Sequence, residues 1–196
     1  VHIPELKTAP IDINKTKNAE FSLSMFMRML YSCLVDADFL DTEKFMTNGN
    51  TGRQQGESMS QLLEKLEQHI AGWLENKETE SVNGRRTEIL RACLEAGEKE
   101  KGLFRLTVPT GGGKTIASLA FALRHAVKHN MDRIIYVIPY TSIIEQNAEV
   151  FREKLGDQNV LENHCNVDYE STEELKPMQL ASENWDKPVV VTTNVQ

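Results

Sequence analysis

The sequence has few cysteines, no excess of positive charge and no long apolar run, and each scarcity excludes a class of protein. Its three cysteines, Cys33, Cys93 and Cys165, form no C-x-x-C pair, which argues against a zinc knuckle or a disulfide framework. There are 22 lysines and arginines against 29 aspartates and glutamates, and the net charge is −7. A broad basic surface for nucleic acid is therefore not expected. Because no run of about 18 apolar residues occurs, no membrane span is predicted. A cytoplasmic, reducing location is expected.

The first hundred residues are predicted to be largely helical. Apolar residues recur at helical spacing over 21–46, 61–77 and 84–97, and the glycine-rich stretch 47–60 is predicted as a loop. The first helix is expected to bury one face. That face comprises Phe26, Met29, Leu30, Cys33, Leu34 and Ala37.

Beyond Gly102 the pattern changes to strands that alternate with helices. Three apolar runs are predicted as buried strands: 103–108, 133–139 and 188–193. Helices are predicted over 114–129, over 141–155 with Thr141 or Ser142 as the N-cap, and over 172–184 with an interruption near Pro177. Strands alternating with helices predict an α/β domain with a parallel sheet.

A glycine-rich stretch, "LTVPTGGGKT" at 106–115, joins the first predicted strand to a helix. Glycines let successive backbone N–H groups converge on a phosphate, and the helix N-terminus adds partial positive charge. Lys114 can reach the β- and γ-phosphates, and the Thr115 hydroxyl can ligate Mg²⁺. The usual G-x-x-x-x-G-K-[ST] pattern has a glycine where this chain has Val108. The sequence therefore predicts ATP and Mg²⁺ binding by Pro109, Thr110, Gly111, Gly112, Gly113, Lys114 and Thr115.

Three later segments narrow the class of phosphate-loop protein. They are "YVIPYTSIIEQNAEVFR" (136–152), "NHCNV" (163–167) and "ENWDKPVVVTTNVQ" (183–196). Together with the glycine loop, in this order and spacing, they resemble the helicase-nuclease of type I CRISPR systems, a superfamily 2 helicase with an N-terminal HD nuclease domain. The resemblance covers nearly all of 83–196. It implies ATP-driven translocation on single-stranded DNA and recruitment by a guide-RNA surveillance complex.

The resemblance also implies roles for individual residues. Arg86, within "SVNGRRTEIL" (81–90), is implied on the adenine side of the nucleotide, although a solvated helix arginine is the alternative. Small hydroxyl side chains and helix N-termini can hold nucleic-acid phosphates without reading bases. The implied single-strand path comprises Pro139, Tyr140, Thr141, Thr192 and Thr193, with ordinary caps and strand ends as the alternative.

The helical half resembles a different part of the same family. "LYSCLVDADFLDTEKF" (30–45) is similar to the last helix of the HD domain, whose aspartate closes a divalent transition-metal site. The matching residue is Asp38, with Asp36 and Asp41 as rivals and an aspartate–arginine pair as the structural alternative. The family's adjacent His-Asp pair is absent, because none of the five histidines precedes an aspartate. This chain is therefore not expected to cut DNA alone.

The remaining histidines are interpreted without a metal. His125 and His129 stand four residues apart on charged sequence and are predicted to be solvated. His164 and Cys165 are interpreted as a structural pair rather than as metal ligands.

Residues 1–80 are thus interpreted as the end of an HD-type nuclease domain with a linker, and 81–196 as the start of a first RecA-like motor domain. The sequence contains no D-E-x-H or D-E-x-D box, begins at Val1 and ends in a predicted strand and turn. We expect a piece of a longer protein with little or no ATP turnover of its own. The alternatives are a superfamily 2 helicase without a nuclease and a catalytically inactive nucleotide-binding product. A phosphate-loop kinase or transporter would leave 136–152 and 189–196 unexplained.

Overall fold

A computed structural model describes residues 17–46, 48, 56–78, 80–164 and 185–194. The chain divides into two compact units, Val1–Gly52 and Arg53–Gln196. The first contains one long helix, α1 (Ala19–Met46), which confirms the helix predicted from periodicity. The expected burial of one face is wrong, since Met29 is 61% exposed and Leu34 69%. Among the described residues of that unit, nothing else packs against the apolar side chains of α1.

The second unit contains four helices and three short strands among its described residues. In chain order the elements are α2 (Met59–Leu74), α3 (Val82–Gly97), α4 (Lys114–Lys128), β1 (Ile134–Val137), α5 (Thr141–Leu155), β2 (Val160–Asn163) and β3 (Val189–Thr192). Six of these match predicted helices and strands to within about three residues at each end. Strand β2 was not predicted, because "VLEN" offers only two apolar residues and no run. The helix predicted over 172–184 lies outside the described residues.

The three strands form one parallel sheet with the order β1-β3-β2. Val137 and Asn163 both pair with Thr192, so the carboxyl ends of all three strands lie at the same edge. All four residues of the central strand, β3, are buried. The predicted α/β class, helices followed by a parallel sheet of RecA-like type, is confirmed.

The strand predicted over 103–108 is absent, and that prediction is wrong. The residues of this segment have no regular secondary structure, and Leu103, Phe104 and Leu106 are all exposed. A strand needs a neighbour to satisfy its backbone N–H and C=O groups. In the described part of the chain, no strand pairs with 103–108, although the edge of β1 opposite β3 is unpaired and offers its backbone groups. Ile135 and Val137 of β1 are accordingly half exposed.

Helices α2 to α5 share a single hydrophobic core with the sheet. Leu62, Leu66 and Ile70 of α2 are fully buried in the same cluster as Leu123 of α4 and Phe151 of α5. Helix α2 therefore packs with the α/β elements, and the division near residue 52 in the structure differs from the boundary expected near 80. The assignment of 1–80 to a nuclease domain and linker stays a prediction.

A polar network fastens the segment before α2 to the turn after α5. The Asn159 amide oxygen accepts the Glu57 backbone N–H at 2.7 Å, and its amide nitrogen donates to the Leu155 carbonyl at 2.8 Å. The Glu57 carboxylate accepts bonds from Lys65 at 2.5 Å and from Gln158 at 2.8 Å. These hydrogen bonds lower the pKa of the Glu57 carboxyl, and the bond from Lys65 has the largest effect. Their contribution to stability is therefore present above the ordinary glutamate pKa and is lost as pH falls through the lowered one.

We expect Asn159→Ala to lower the free energy of unfolding by about 2–3 kcal/mol, because Asn159 is fully buried, its loss removes the acceptor of the Glu57 N–H, and it leaves the Leu155 carbonyl with only the longer bond from Lys65 at 3.4 Å. Urea denaturation followed by circular dichroism measures the change. Asn147→Ala is the matched control, since that exposed amide bonds only within α5, to the Ile143 carbonyl. Equal stability of the two variants would contradict the anchoring role.

Candidate functional site

Each of the three glycines before α4 occupies a position that favours glycine. Gly111 and Gly113 have φ of +82° and +77°, a region in which a side chain is strained. At Gly112 a Cβ would lie 2.3 Å from Val108 Cγ1 and 3.1 Å from the Pro109 carbonyl oxygen. The Gly112 N–H donates to that same carbonyl at 3.1 Å. The loop is thus a tight turn that brings its backbone to the start of α4.

Helix α4 begins directly after this loop and without a side-chain cap. Gly113 is its N-cap residue, and no side chain accepts a bond from the first turn. Lys114, the first residue, is exposed, and Thr115 is half-buried beside it. Uncapped N–H groups, the helix dipole and a lysine together favour an anion such as a phosphate group. Pro109, Thr110 and Gly111, on the approach to the turn, are exposed to solvent as well.

Contacts behind Thr115 connect the first turn of α4 to the sheet. The Ser118 hydroxyl donates to the Thr115 carbonyl at 3.1 Å, and the Tyr136 hydroxyl of β1 donates to Ser118 Oγ at 3.4 Å. Burial raises the pKa of Tyr136 far above that of an ordinary phenol, so the group stays protonated and available as a donor. The start of α4 is thereby connected to the edge strand β1.

A cavity of about 550 Å³ opens beside the loop, between the end of α2, the start of α3 and the start of α4. Its volume falls within the range usual for small-molecule sites. It is lined by Gly72, Trp73, Asn76, Asn83, Arg86, Thr87, Leu90, Gly113, Ile116 and Ala117. The sequence pattern did not single out Asn76 or Asn83, and Trp73 is one of the apolar residues at helical spacing over 61–77. Trp73 is 48% exposed, because the apolar stripe of α2 runs past the end of the packed core.

Arg86 stands where the cavity meets the loop. Its Nε donates to the Gly111 carbonyl at 2.8 Å, and one terminal nitrogen donates to Asn83 Oδ1 at 3.4 Å. Arg86 is exposed on α3, as the alternative of a solvated helix arginine expects, and it also bonds to the glycine loop. Its predicted contact with adenine stays a prediction, although Arg86 does line the cavity.

The predicted single-strand path lies at the carboxyl edge of the sheet. Pro139 and Tyr140 follow β1 and are exposed, and Thr193 follows β3 and is half-buried. The Ile138 N–H donates to the Thr192 carbonyl at 2.8 Å, which holds the two strand ends side by side. Thr192 itself is only 2% exposed. Thr141 is the first residue of α5, whose N-cap is Tyr140 without a side-chain bond, so the predicted Thr141 or Ser142 cap is wrong.

The histidine predictions have mixed outcomes. His125 is buried, stacks on Phe121 at 5.4 Å between ring centroids, and bonds through Nδ1 to the Gly97 carbonyl. His129 Nε2 lies 2.9 Å from the Lys99 carbonyl oxygen. The prediction of a solvated side chain is wrong for His125, which is buried, whereas His129 stays partly exposed while bonding to the turn after α3.

Asp38, the predicted ligand of the HD-site metal, is exposed on α1, and the described residues of its unit place no histidine beside it. Among the described residues, none joins Asp38 to form a metal centre, and its role as a metal ligand stays a prediction. Elsewhere in the described residues, Glu145, Glu162 and His164 lie close enough to share a cation. His164 Nε2 is 2.9 Å from one Glu162 oxygen, and Arg152 bonds to the other at 2.9 Å. Cys165 lies outside the described residues.

A glycine loop that leads into an uncapped helix beside a parallel sheet defines a RecA-like nucleotide-binding domain. The family model described as "Type III restriction enzyme, res subunit" matches residues 54–196. The chain belongs to this family, and its domain is of the superfamily 2 helicase type. Such domains use ATP and Mg²⁺ and act on nucleic acid. No curated protein matches the chain. Among the described residues, no helix is both long and apolar enough to span a membrane.

Proposed function

We propose that this chain is the nucleotide-binding part of an ATP-dependent helicase and single-strand DNA nuclease of CRISPR antiviral defence. The nucleotide-binding part of this proposal is supported by one observation: the glycine loop and the cavity meet at Gly113. In this proposal the loop N–H groups and Lys114 hold the phosphates, and the Thr115 hydroxyl ligates Mg²⁺. The nucleoside occupies the cavity, with Arg86 on the adenine side.

The strand-end surface is proposed to hold single-stranded DNA. Pro139, Tyr140 and Thr193 lie on the carboxyl edge of a parallel sheet, where ligands of open α/β sheets bind. The exposed Tyr140 ring offers a surface for base stacking, and the uncapped start of α5 at Thr141 offers backbone donors to a phosphate. Because Thr192 is buried, we assign it to holding the two strand ends together rather than to contact with DNA.

We expect Tyr140→Ala to weaken binding of a single-stranded oligonucleotide about tenfold, as the loss of one stacking surface predicts. Fluorescence anisotropy at low salt with a Mg²⁺–ATP analogue measures it. The backbone contacts of Tyr140 with Ile143 and Ile144 use its carbonyl, so the variant keeps the start of α5. The matched control is Tyr31→Ala, which removes a tyrosine of similar exposure on α1. Equal affinities for the two variants would count against this DNA path.

The nuclease part of the proposal is carried by the resemblance of 30–45 to an HD helix and by the order of the motifs. Its test is a manganese- or cobalt-dependent nuclease assay on the full-length gene product, comparing Asp38→Ala with wild type. Cleavage that depends on Asp38 supports the helicase-nuclease. ATP-dependent unwinding without cleavage would favour the second candidate, a superfamily 2 helicase without a nuclease, which the match over 54–196 already accommodates.

A further inference from the structure

Arg86 makes a contact that reading an adenine base does not require. Its Nε donates to the carbonyl of Gly111 at 2.8 Å, which is a bond to the loop and not toward the cavity. The bond spans 25 positions in the sequence and joins the first turns of α3 to the glycine loop. The aliphatic part of the same side chain packs over the other end of the loop, with Arg86 Cγ 3.6 Å from the place of a Cβ on Gly113.

The loop has reason to need such a contact. Gly111, Gly112 and Gly113 carry no side chains to pack, and glycine loses more backbone freedom on ordering than any other residue. Gly111 and Gly113 have positive φ, and glycine adopts negative φ about as readily, so the residues themselves do not fix this conformation. An external donor to the Gly111 carbonyl selects one orientation of the peptide group between Gly111 and Gly112. The Gly112 N–H of the same peptide group donates to the Pro109 carbonyl at 3.1 Å, so the bond from Arg86 and this turn bond fix the peptide group from its two ends.

We propose that Arg86 is a positioning residue that holds the glycine loop in its anion-binding conformation from α3. The inference rests on the proposed phosphate-binding function of the loop and extends it. It assigns Arg86 to the phosphate end of the site in addition to any contact with the base. Helix α3 thereby becomes part of the phosphate site, although it contributes no residue to the glycine motif.

Two substitutions separate the hydrogen bond from the charge. In Arg86→Gln the amide nitrogen stands at the position of Nε in the side chain, so the donor to Gly111 is kept while the guanidinium is lost. Arg86→Met has a methyl group at that position and keeps the length without a donor. Both variants lose one positive charge, so their difference reports the bond alone.

The probe is inorganic tripolyphosphate, which has phosphates but no nucleobase. Its affinity in the presence of Mg²⁺ is measured by isothermal titration calorimetry and compared with the affinity of ATP. We expect Arg86→Met to bind tripolyphosphate about tenfold more weakly than Arg86→Gln, as one hydrogen bond from a side chain predicts. If both variants bind tripolyphosphate like wild type and lose only ATP affinity, Arg86 serves the base and the proposal is overturned. If both lose tripolyphosphate equally, the charge is responsible, and the proposal is again overturned.

A measurement on the free protein tests the positioning role of Arg86 independently of whether the loop binds phosphate. Amide hydrogen exchange of Gly111, Gly112 and Gly113, followed by NMR in the free protein, is expected to be faster in Arg86→Met than in Arg86→Gln or wild type. Unchanged exchange in the methionine variant overturns the positioning role even if ATP binds. If wild type binds neither ATP nor tripolyphosphate while exchange still responds to Arg86, the phosphate-site function fails and Arg86 only orders the loop.

Discussion

Lys114→Ala is expected to weaken binding of a fluorescent ATP analogue with Mg²⁺ by roughly 100-fold or more. Lys114 is exposed at the first position of α4, beside a loop whose glycines leave backbone donors accessible. A lysine that contacts two phosphates makes charge-assisted bonds, which are worth about 1.5–3 kcal/mol each. Because the side chain is exposed and no described partner in the protein depends on it, we expect the fold to be unchanged. Fluorescence titration with circular dichroism as a check measures both.

The matched control for this experiment lies on the same helix. Lys128 is in the last turn of α4, at the opposite end from the loop, and its ammonium group is 4.0 Å from Glu98. Lys128→Ala removes the same charge and the same side chain, so it should leave analogue binding within about twofold of wild type. Equal binding by Lys114→Ala and Lys128→Ala in folded protein would rule out the glycine loop as the phosphate site. Absence of binding by folded wild type would show that residues 1–196 do not complete a nucleotide site alone.

Secondary structure was predictable where the sequence carries a strong local signal. The stripe of Leu62, Leu66 and Ile70 repeats every three or four residues, and all three are fully buried. The run Val189, Val190 and Val191 is apolar on both faces, and it forms the central strand. In these cases the apolar residues that indicate the helix or strand in the sequence are the same residues that are buried in the core.

Elements whose existence depends on a distant partner were not predictable. The segment 103–108 has the composition of a strand, but a strand forms only where it pairs with a neighbour, and composition does not contain that information. The converse holds for β2, which is weakly apolar and forms because β3 pairs with it. His125 illustrates the same point for burial. Phe121 lies one turn before it on α4, but the Phe104 ring and the Gly97 carbonyl, which also cover it, come from packing.

The candidate site likewise has one part that was predictable from local sequence and another part that depends on packing. Lys114, Thr115 and the glycines were predictable, because the chemistry of phosphate binding requires them at fixed spacing along the chain. The cavity and the bond from Arg86 to Gly111 join α2, α3 and the loop, and their relative placement follows from helix packing. Sequence reasoning named Arg86 through a family resemblance and assigned it to the base. Its contact with the loop emerged only from the fold.

The second large effect is expected at Gly112, where space rather than backbone strain is limiting. No positive φ occurs at this residue, but a Cβ would lie 2.3 Å from Val108 Cγ1. Either the valine or the loop must shift, so we expect Gly112→Ala to weaken ATP-analogue binding by about 10- to 100-fold. Gly111→Ala is the comparison, because its φ of +82° imposes strain while nothing lies within 4 Å of its Cβ. Strain of about 1–2 kcal/mol predicts a loss of roughly tenfold there.

A double variant identifies the cause of the loss at Gly112. Val108→Ala removes the methyl group that the new Cβ would meet, so Val108→Ala with Gly112→Ala should bind the analogue more tightly than Gly112→Ala alone. Such non-additivity measures the contact directly, provided that Val108→Ala alone changes binding little. Rescue would be partial, because the Pro109 carbonyl oxygen remains 3.1 Å from the added Cβ. Strict additivity of the two changes would mean that Val108 does not limit the loop.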